Sequence, residues 1–567
     1  PRKKVQDWSI QFLRNYPRNS RYQMGWTDVS LDNSCLLCQN GDLVGLQNIE
    51  TGNTVELLPY AMGFQNSSIN DPDNPSSGLD HGPLDGRFGG SISYSPNSTL
   101  SLDAVVNPDF SQVETDAAQI SANETFALYY PEKRPFFMKG SEHFETPEDL
   151  YYSRMINHPW AAGKVTQNSD AYSIAYLTAF DRSAAFIVPG KLGSSLIQSD
   201  VNSYNNILRG KYNIGDESHI GGLVTTRNQE SAYNYVGSVD WNLKLADHYY
   251  FDGQVGLSDT KELQDTTLFN NSRPLGDGRY DAAFNGETYS GRLVTAEISR
   301  NGKYYNASIE YKSLSPTFQS QSGFINQTDL REFEGNQSFS YYPDKDWLSN
   351  GSINLSGTWR YDHGGQFMER YIYAGMYNQF GGQTSLSIGF LPLNDERYRD
   401  RFFTQMNRVM ISLNSNPMNE LSFGANLEMG RDIYQTDDPV MGYLNRVSAN
   451  ATIKPSPRLN LSLSYSHSTL ESLDDNTNYY SGDIYRLNSK YNFSRKLFLR
   501  LITQYNSFSD RLQVYPLLSY KHNPFTKFYI GMTDNLRKYN QTGPGGVNGF
   551  RQTRREFFVK FQYLIRQ

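Results

Sequence analysis

The sequence predicts an all-β protein, a large closed antiparallel transmembrane β-barrel of about 24 to 26 strands. Three observations predict it. Apolar and polar residues alternate strictly in segment after segment, as in Ile353-Asn354-Leu355-Ser356-Gly357-Thr358-Trp359-Arg360-Tyr361, in Leu459 to Ser466, in Tyr305 to Lys312 and in the last stretch, Phe557 to Ile565. A period of two means strands with a different solvent on each face. The 567 residues are 14 % aromatic, with 41 Tyr and 32 Phe against 6 Trp, which suits girdles where hydrocarbon meets headgroups. The mean hydropathy is only -0.62, and no apolar run approaches the roughly 20 residues of a membrane helix. The longest candidate is Ala184-Ala185-Phe186-Ile187-Val188.

The first 53 residues differ from the rest. They hold Arg14, Arg18, Arg21, both cysteines and short strand-like pieces, Trp8 to Leu13 and Leu43 to Ile49. They read as a periplasmic lead-in that pairs with, or packs beneath, the first barrel strands. The opening Pro1-Arg2-Lys3-Lys4 is followed by no apolar core of signal-peptide length, so the chain reads as mature, trimmed, or part of something longer.

From residue 54 to 567 one barrel is expected, because alternation continues with no linker of Pro, Gly or Ser. Tight turns such as Tyr342 to Asp346, Lys454 to Pro457 and His522-Asn523-Pro524 close one end. Long polar loops are expected at the other, over 65–87, 259–287, 393–400, 431–441, 468–481 and 540–551. Short turns face the periplasm in such barrels, so both termini belong there. At about 20 residues per strand and connection, roughly 500 residues supply the strand number above. Within Ile353–Tyr361, the residues Ile353, Leu355, Trp359 and Tyr361 should face lipid, and Asn354, Ser356, Thr358 and Arg360 the lumen. Leu459, Leu461 and Leu463 should face lipid likewise, against Ser462 and Ser464.

One stretch breaks the alternation. Residues 107–158 carry two prolines around the charged triplet Glu132-Lys133-Arg134, the pair Phe136-Phe137, then Lys139, Glu142 and His143. Backbone this irregular would go unpaired in lipid, which places it in the lumen or on a rim. Glu132, Lys133, Arg134, Phe136, Phe137, Lys139 and Glu142 are the candidate lumen constriction, since charged rings and loops set which solutes pass. The bland alternative is that Lys133 and Arg134 merely pair with wall carboxylates and brace the lumen.

The same residues carry a family resemblance. The blocks NPDFSQVETDAAQ at 107–119, FALYYPEKRPFFMKGSEHF at 126–144 and LYYSRMI at 150–156 resemble the hallmark of a bacterial outer-membrane barrel family classed as a domain of unknown function. Trp8 to Arg14, Gly41 to Leu46 and Leu57 to Tyr60 are similar to the region that follows the family's N-terminal module. Members usually carry an N-terminal carbohydrate-binding module of family-nine type, which this chain lacks. The third block has Arg154-Met155 where the family pattern suggests Arg-Arg. The resemblance implies architecture, an outer-membrane location and an association with glycans, but no reaction.

Cys35-Leu36-Leu37-Cys38 is a CxxC. Gln39 removes the c-type haem reading and no second CxxC completes a zinc site. A local disulfide between Cys35 and Cys38 is expected in an oxidising periplasm, with a redox pair and free thiols as alternatives. Eight scattered histidines without HExxH spacing, and the lack of a GxSxG elbow, give no catalytic set and no metal set. Asp474, Asp475 and Asp483 could hold calcium only as an acidic loop. No enzyme and no cofactor are therefore expected.

The balance of 52 Lys+Arg against 59 Asp+Glu gives a net charge of -7, without a basic stripe, so nucleic acid is not expected as a partner. The partners expected are outer-membrane lipid, a periplasmic or cell-surface protein, and a glycan. The function expected is a porin-like or gated conduit with an internal plug at 107–158. The alternative is a plugged barrel that conducts nothing and anchors a partner. A weaker one is the sheath of an electron conduit.

Overall fold

The computed structural model describes residues 8–15, 23–30, 32, 35–45, 53–71, 74–108, 117–269, 273–343, 345–523, 526–540 and 546–566. Residues 54–566 form a closed antiparallel barrel of 24 strands. The first strand, Thr54–Ile69, pairs with the last, Asn548–Gln562, in the register Tyr60↔Gln562 through Ser68↔Arg554. That seam abolishes both sheet edges, as lipid requires. Arg401–Phe403 and Ile565–Arg566 only extend the pairing at the rim.

The two ends differ. The connections on the side of both termini, such as 169–171, 247–248 and 457–458, span two to six residues. On the other side four long connections, 107–158, 182–202, 262–287 and 315–329, lie between consecutive strands of one half of the barrel. Most of the long loops expected from sequence are corrected here. Residues 393–398, 431–434, 468–472 and 478–481 continue strands, as do 65–69 and 79–87, leaving connections such as 435–439 and 473–477. Beyond the bilayer both strand faces meet water, so alternation fades while the hydrogen-bonded ladder continues.

Facing follows the expected parity. Ile353, Leu355 and Trp359 are exposed at 50, 45 and 39 %, whereas Thr358 is buried at 1 %; Tyr361, Asn354, Ser356 and Arg360 are half-buried. Exposed apolar residues on one face, with buried polar ones on the other, give a lipid-facing exterior and a polar interior. Along Leu459–Ser472 the contrast weakens, for Leu463 is exposed and Ser464 is exposed too. Leu463 shares its outward parity with Phe423 through Ala451, while Ser464 points to a hollow stretch of interior.

The interior is asymmetric. From Tyr172–Asp181 to Thr288–Arg300 the inward faces are buried, including Asn205, Arg209, Thr225, Arg227, Asn234, Asp240 and Gln254. An apolar core unites wall residues Leu177, Ile207, Leu223, Val236 and Leu293 with Phe137, Phe144, Leu150, Ile156, Phe318 and Ile325 of the long connections. From Leu348–Tyr361 to Asn478–Asn492 most inward residues are half-buried or exposed.

In the lead-in, Trp8–Ile10 pairs with Gly41–Leu43, and Leu13–Asn15 with Gln23–Gly25. The strand expected at Leu43 to Ile49 stops at Leu43, and its later part, like Arg18 and Arg21, lies outside the described residues. Asp32 accepts the Lys303 amide at 2.9 Å in the turn after Thr288–Arg300. That turn joins the tenth and eleventh strands of the barrel. Cys35 and Cys38 are joined as a disulfide, with Cα atoms 5.4 Å apart.

Candidate functional site

The segment singled out from sequence is described over 107–108 and 117–158; the Asp109 to Asp116 part of its first block lies outside the described residues. It is tied in three ways. Within itself, Glu132 accepts the Lys133 and Arg134 amides at 2.9 and 2.8 Å and pairs with the Arg134 guanidinium at 2.6 Å. Arg134 also donates to the carbonyls of Ile156 and Ser153, each at 2.7 Å, and lies 4.2 Å over the Phe137 ring. Burial alone would raise the Glu132 pKa, but hydrogen bonds and charge from Arg134 and the Ser153 hydroxyl leave it below the usual carboxylate range. The triplet thus clamps 130–137 onto 153–156.

Second, the segment is tied to the nearby wall. The Lys139 ammonium pairs with Asp103 at 2.7 Å and donates to Ser93 and Ser101. Lys164, buried at 2 % exposure, donates to the Phe136 carbonyl at 2.7 Å and to that of Lys139. Phe136 and Phe137 meet edge to face, Phe137 fully within the apolar core. Glu142 is exposed, and its nearest ion partner is His143 at 3.9 Å. Glu142 therefore stands apart from the ties that hold Glu132, Arg134 and Lys139.

Third, it reaches distant walls. The Glu148 amide donates to Gln254 at 2.8 Å while its carboxylate pairs with Lys312 at 2.7 Å. At the other end Ala118 donates to Gln504 at 3.1 Å, and Asn123 exchanges hydrogen bonds with the Ile433 carbonyl and the Gln435 amide. The other long connections join it: Tyr152 donates to the Ser322 carbonyl, Phe324 to Asp149 and Ser194 to Thr125.

Sequence reading missed the residues that bind these connections to the wall. Arg227, fully buried, donates to the carbonyls of Ala185 and Gln321 at 2.8 and 2.7 Å and of Met155 at 3.3 Å, collecting three connections on one guanidinium. Arg209 and Asp240 form a fully buried two-bond pair at 2.5 and 2.7 Å. Each sits at an inward position of an alternating strand, which is the signal that parity offered: a charge on the non-lipid face needs a partner inside.

The sparsely filled half presents charge to the interior. Arg360 pairs with Glu332 at 2.6 Å and Glu369 at 2.5 Å. Arg408 pairs with Glu428 at 3.1 Å and Asp432 at 2.6 Å, and Arg446 with Glu428 at 3.3 Å. These residues lie between Leu330–Tyr341 and Val440–Ser456, on every strand of that stretch of wall except Thr384–Tyr398. Beside them, Asp252, Glu297, Glu310 and Glu334 stand in direct cross-strand register on four adjacent strands. Like charges so placed repel one another and attract cations. Between this wall and Asn123–Glu124 lies a cavity of about 670 Å³ lined by Tyr371, Tyr373, Glu396, Arg408 and Arg446 among others. A second, of about 250 Å³, continues along the same wall through Ser387, Ser412, Asn426 and Ser448.

Among the described residues no group of three or more His, Cys, Asp or Glu is arranged to hold a metal ion.

Residues 55–191 match the family described as "Domain of unknown function (DUF5916)". No curated protein matches the chain. Solved structures similar to it include the FrpB iron transporter from Neisseria meningitidis, at 9 % identity and a TM-score of 0.42 over 71 % of this chain and 80 % of that one. The copper transporter OprC has 8 % identity and a TM-score of 0.45 over 72 % and 78 %. The siderophore receptor PirA from Pseudomonas aeruginosa has 7 % identity and a TM-score of 0.42 over 92 % and 82 %. Likenesses of this size assign neither family nor substrate.

Proposed function

We propose that the protein is a gated conduit of the bacterial outer membrane in which residues 107–158 obstruct the lumen. The observation that carries this reading is the pair of hydrogen bonds from one segment to Gln254 and Gln504, which stand on strands half a circuit apart. A chain tied to both sides of a barrel narrows what passes between them. The segment belongs to a connection on the end away from both termini, so it enters from the outer side if the short turns face the periplasm. Glu132 and Arg134 act as a brace inside the obstruction, and Lys139 with Asp103 is its tether to the wall. The charged wall from Glu332 to Arg446 flanks the open part of the lumen.

The second reading is a permanently plugged barrel that anchors a periplasmic or surface partner. The apolar core shared by the wall and Phe137, Phe144 and Leu150 favours it, because buried apolar contacts resist opening. Conductance of the purified chain in planar bilayers separates the two. The conduit reading expects stable channels whose conductance rises severalfold when 127–145 is deleted, and rises again, less, when Lys139→Ala releases the tether without shortening the chain. Folded protein with no conductance in any of the three forms would leave the anchoring reading.

A further inference from the structure

The larger cavity on the charged wall has a composition that selects for a ligand class. Its carboxylates are Glu124, Glu369, Glu396 and Asp432, and its guanidinia Arg408 and Arg446. Glu369 is taken by Arg360 and Asp432 by Arg408. Arg446 is taken by Glu428, with Glu124 at 3.9 Å. Among the described residues no side-chain hydrogen bond or ion pair reaches Glu396, which stands directly across the ladder from Glu369. Both guanidinia are therefore occupied and one carboxylate is left over. An anion finds no guanidinium here without a carboxylate already on it. A cation finds a carboxylate whose repulsion from Glu369 it would relieve.

The rest of the lining argues for an organic cation rather than a metal. Tyr373 has its ring laid on the wall over Gly375 and Gly389, where a Cβ at either position would collide with it. A ring seated flat on glycines turns its other face to the cavity, and an aromatic face attracts a cation. Tyr371 stands on the same inward face two residues away, and Met410 and Leu391 add apolar surface. A volume of about 670 Å³ is in the range that takes a small organic molecule.

We propose that this cavity is a subsite for a small organic monocation, its ammonium group facing Glu396 and its body lying against Tyr373. The subsite would serve as a selectivity station of the proposed conduit, and so deepens that reading, but binding itself does not require conduction.

The test is isothermal titration of the purified full chain in detergent at pH 8.5 with choline, and with 3,3-dimethylbutan-1-ol, which has the same shape and no charge. We expect choline to bind at least about tenfold more tightly than the alcohol, Glu396→Gln to erase the preference, and Tyr373→Leu to weaken choline by about threefold to fivefold. Equal binding of the two probes, no binding of either, or a preference that survives Glu396→Gln overturns the proposal. The comparison of probes on the unaltered chain keeps it falsifiable should either variant fail to fold. Choline binding to a barrel that is closed in bilayers would remove the conduit reading and leave the subsite. Open channels without choline preference would do the reverse.

Discussion

Gln254 and Gln504 stand twelve strands apart in the 24-strand circuit, and each accepts a main-chain N–H from one segment, Glu148 at 2.8 Å and Ala118 at 3.1 Å. Main-chain groups need partners wherever they are buried, and here two opposite walls supply them. Replacing either glutamine by Leu leaves an amide without its acceptor, at a cost of about 1–3 kcal/mol. Hydrogen exchange at Glu148 in Gln254→Leu, and at Ala118 in Gln504→Leu, should accelerate while the barrel ladders stay protected. Unchanged exchange at both sites would show that the wall contacts do not hold the segment.

Arg134 is the brace of the segment, with an ion pair and two carbonyls on one half-buried guanidinium. Arg134→Ala strands Glu132 without its cation and should destabilise the local fold by about 3–5 kcal/mol. Limited proteolysis should then cut within 127–145 in protein whose barrel still resists heating in detergent. Arg134→Ala combined with Lys133→Ala should raise sensitivity to bulky antibiotics in cells if the segment obstructs the lumen.

At Arg227 the expected effect is wider, because its three carbonyl partners belong to three connections. Arg227→Met should expose 182–202 and 315–329 to protease together. Cleavage confined to one of them would mean that the connections are held independently. Arg227→Lys should restore protection only in part, because an ammonium lacks the planar fork that reaches several carbonyls at once.

Glu262 predicts a pH dependence in the connection 262–287. It is buried at 3 % exposure, it accepts from the Tyr289 hydroxyl at 3.0 Å, and its Oε2 has no hydrogen-bond partner among the described residues. Burial, opposed in part by the Tyr289 hydrogen bond and reinforced by Glu287 and Asp281, pushes its pKa up to about 7. The folded connection keeps a proton that the unfolded one loses above the ordinary carboxylate pKa, about 4.3. Its stability is therefore greatest below that value, falls as the pH rises through about 7, and is level above. Protease protection of 262–287 should decline across that window, and Glu262→Gln should flatten the profile. A profile equally steep in the variant would assign the dependence to another group.

Facing can be tested by charge placement. Ile353→Arg puts a guanidinium on the lipid face and should cost about 2–4 kcal/mol near the midplane, whereas Asn354→Arg puts it in the aqueous interior and should cost little. Denaturant unfolding of the reconstituted barrel measures both. Equal costs would mean that Asn354 does not face water.

The sequence by itself determined the closed barrel, its lipid face and where along the chain the alternation breaks. Lipid imposes its constraint on each strand separately: Ile353, Leu355 and Trp359 must be apolar whatever their neighbours are, so alternation is written locally. The same reasoning explains the misplaced loops, since alternation records the bilayer and not the ladder, and strands such as Thr384–Tyr398 run on past the lipid. Glu132, Arg134 and Lys139 were legible as a charged cluster in an aromatic, proline-bounded stretch. What they pair with was not: Ser153 and Ile156 on the returning chain, and Asp103 on the wall. The tertiary structure alone decided that Arg227 would gather three connections, that Arg408 would meet both Glu428 and Asp432, and that Glu396 would have no ion-pair partner among the described residues. Those meetings depend on the register between neighbouring strands and on the path of chain across the barrel. Both are set by closure of the whole circuit, and no local period in the sequence encodes them.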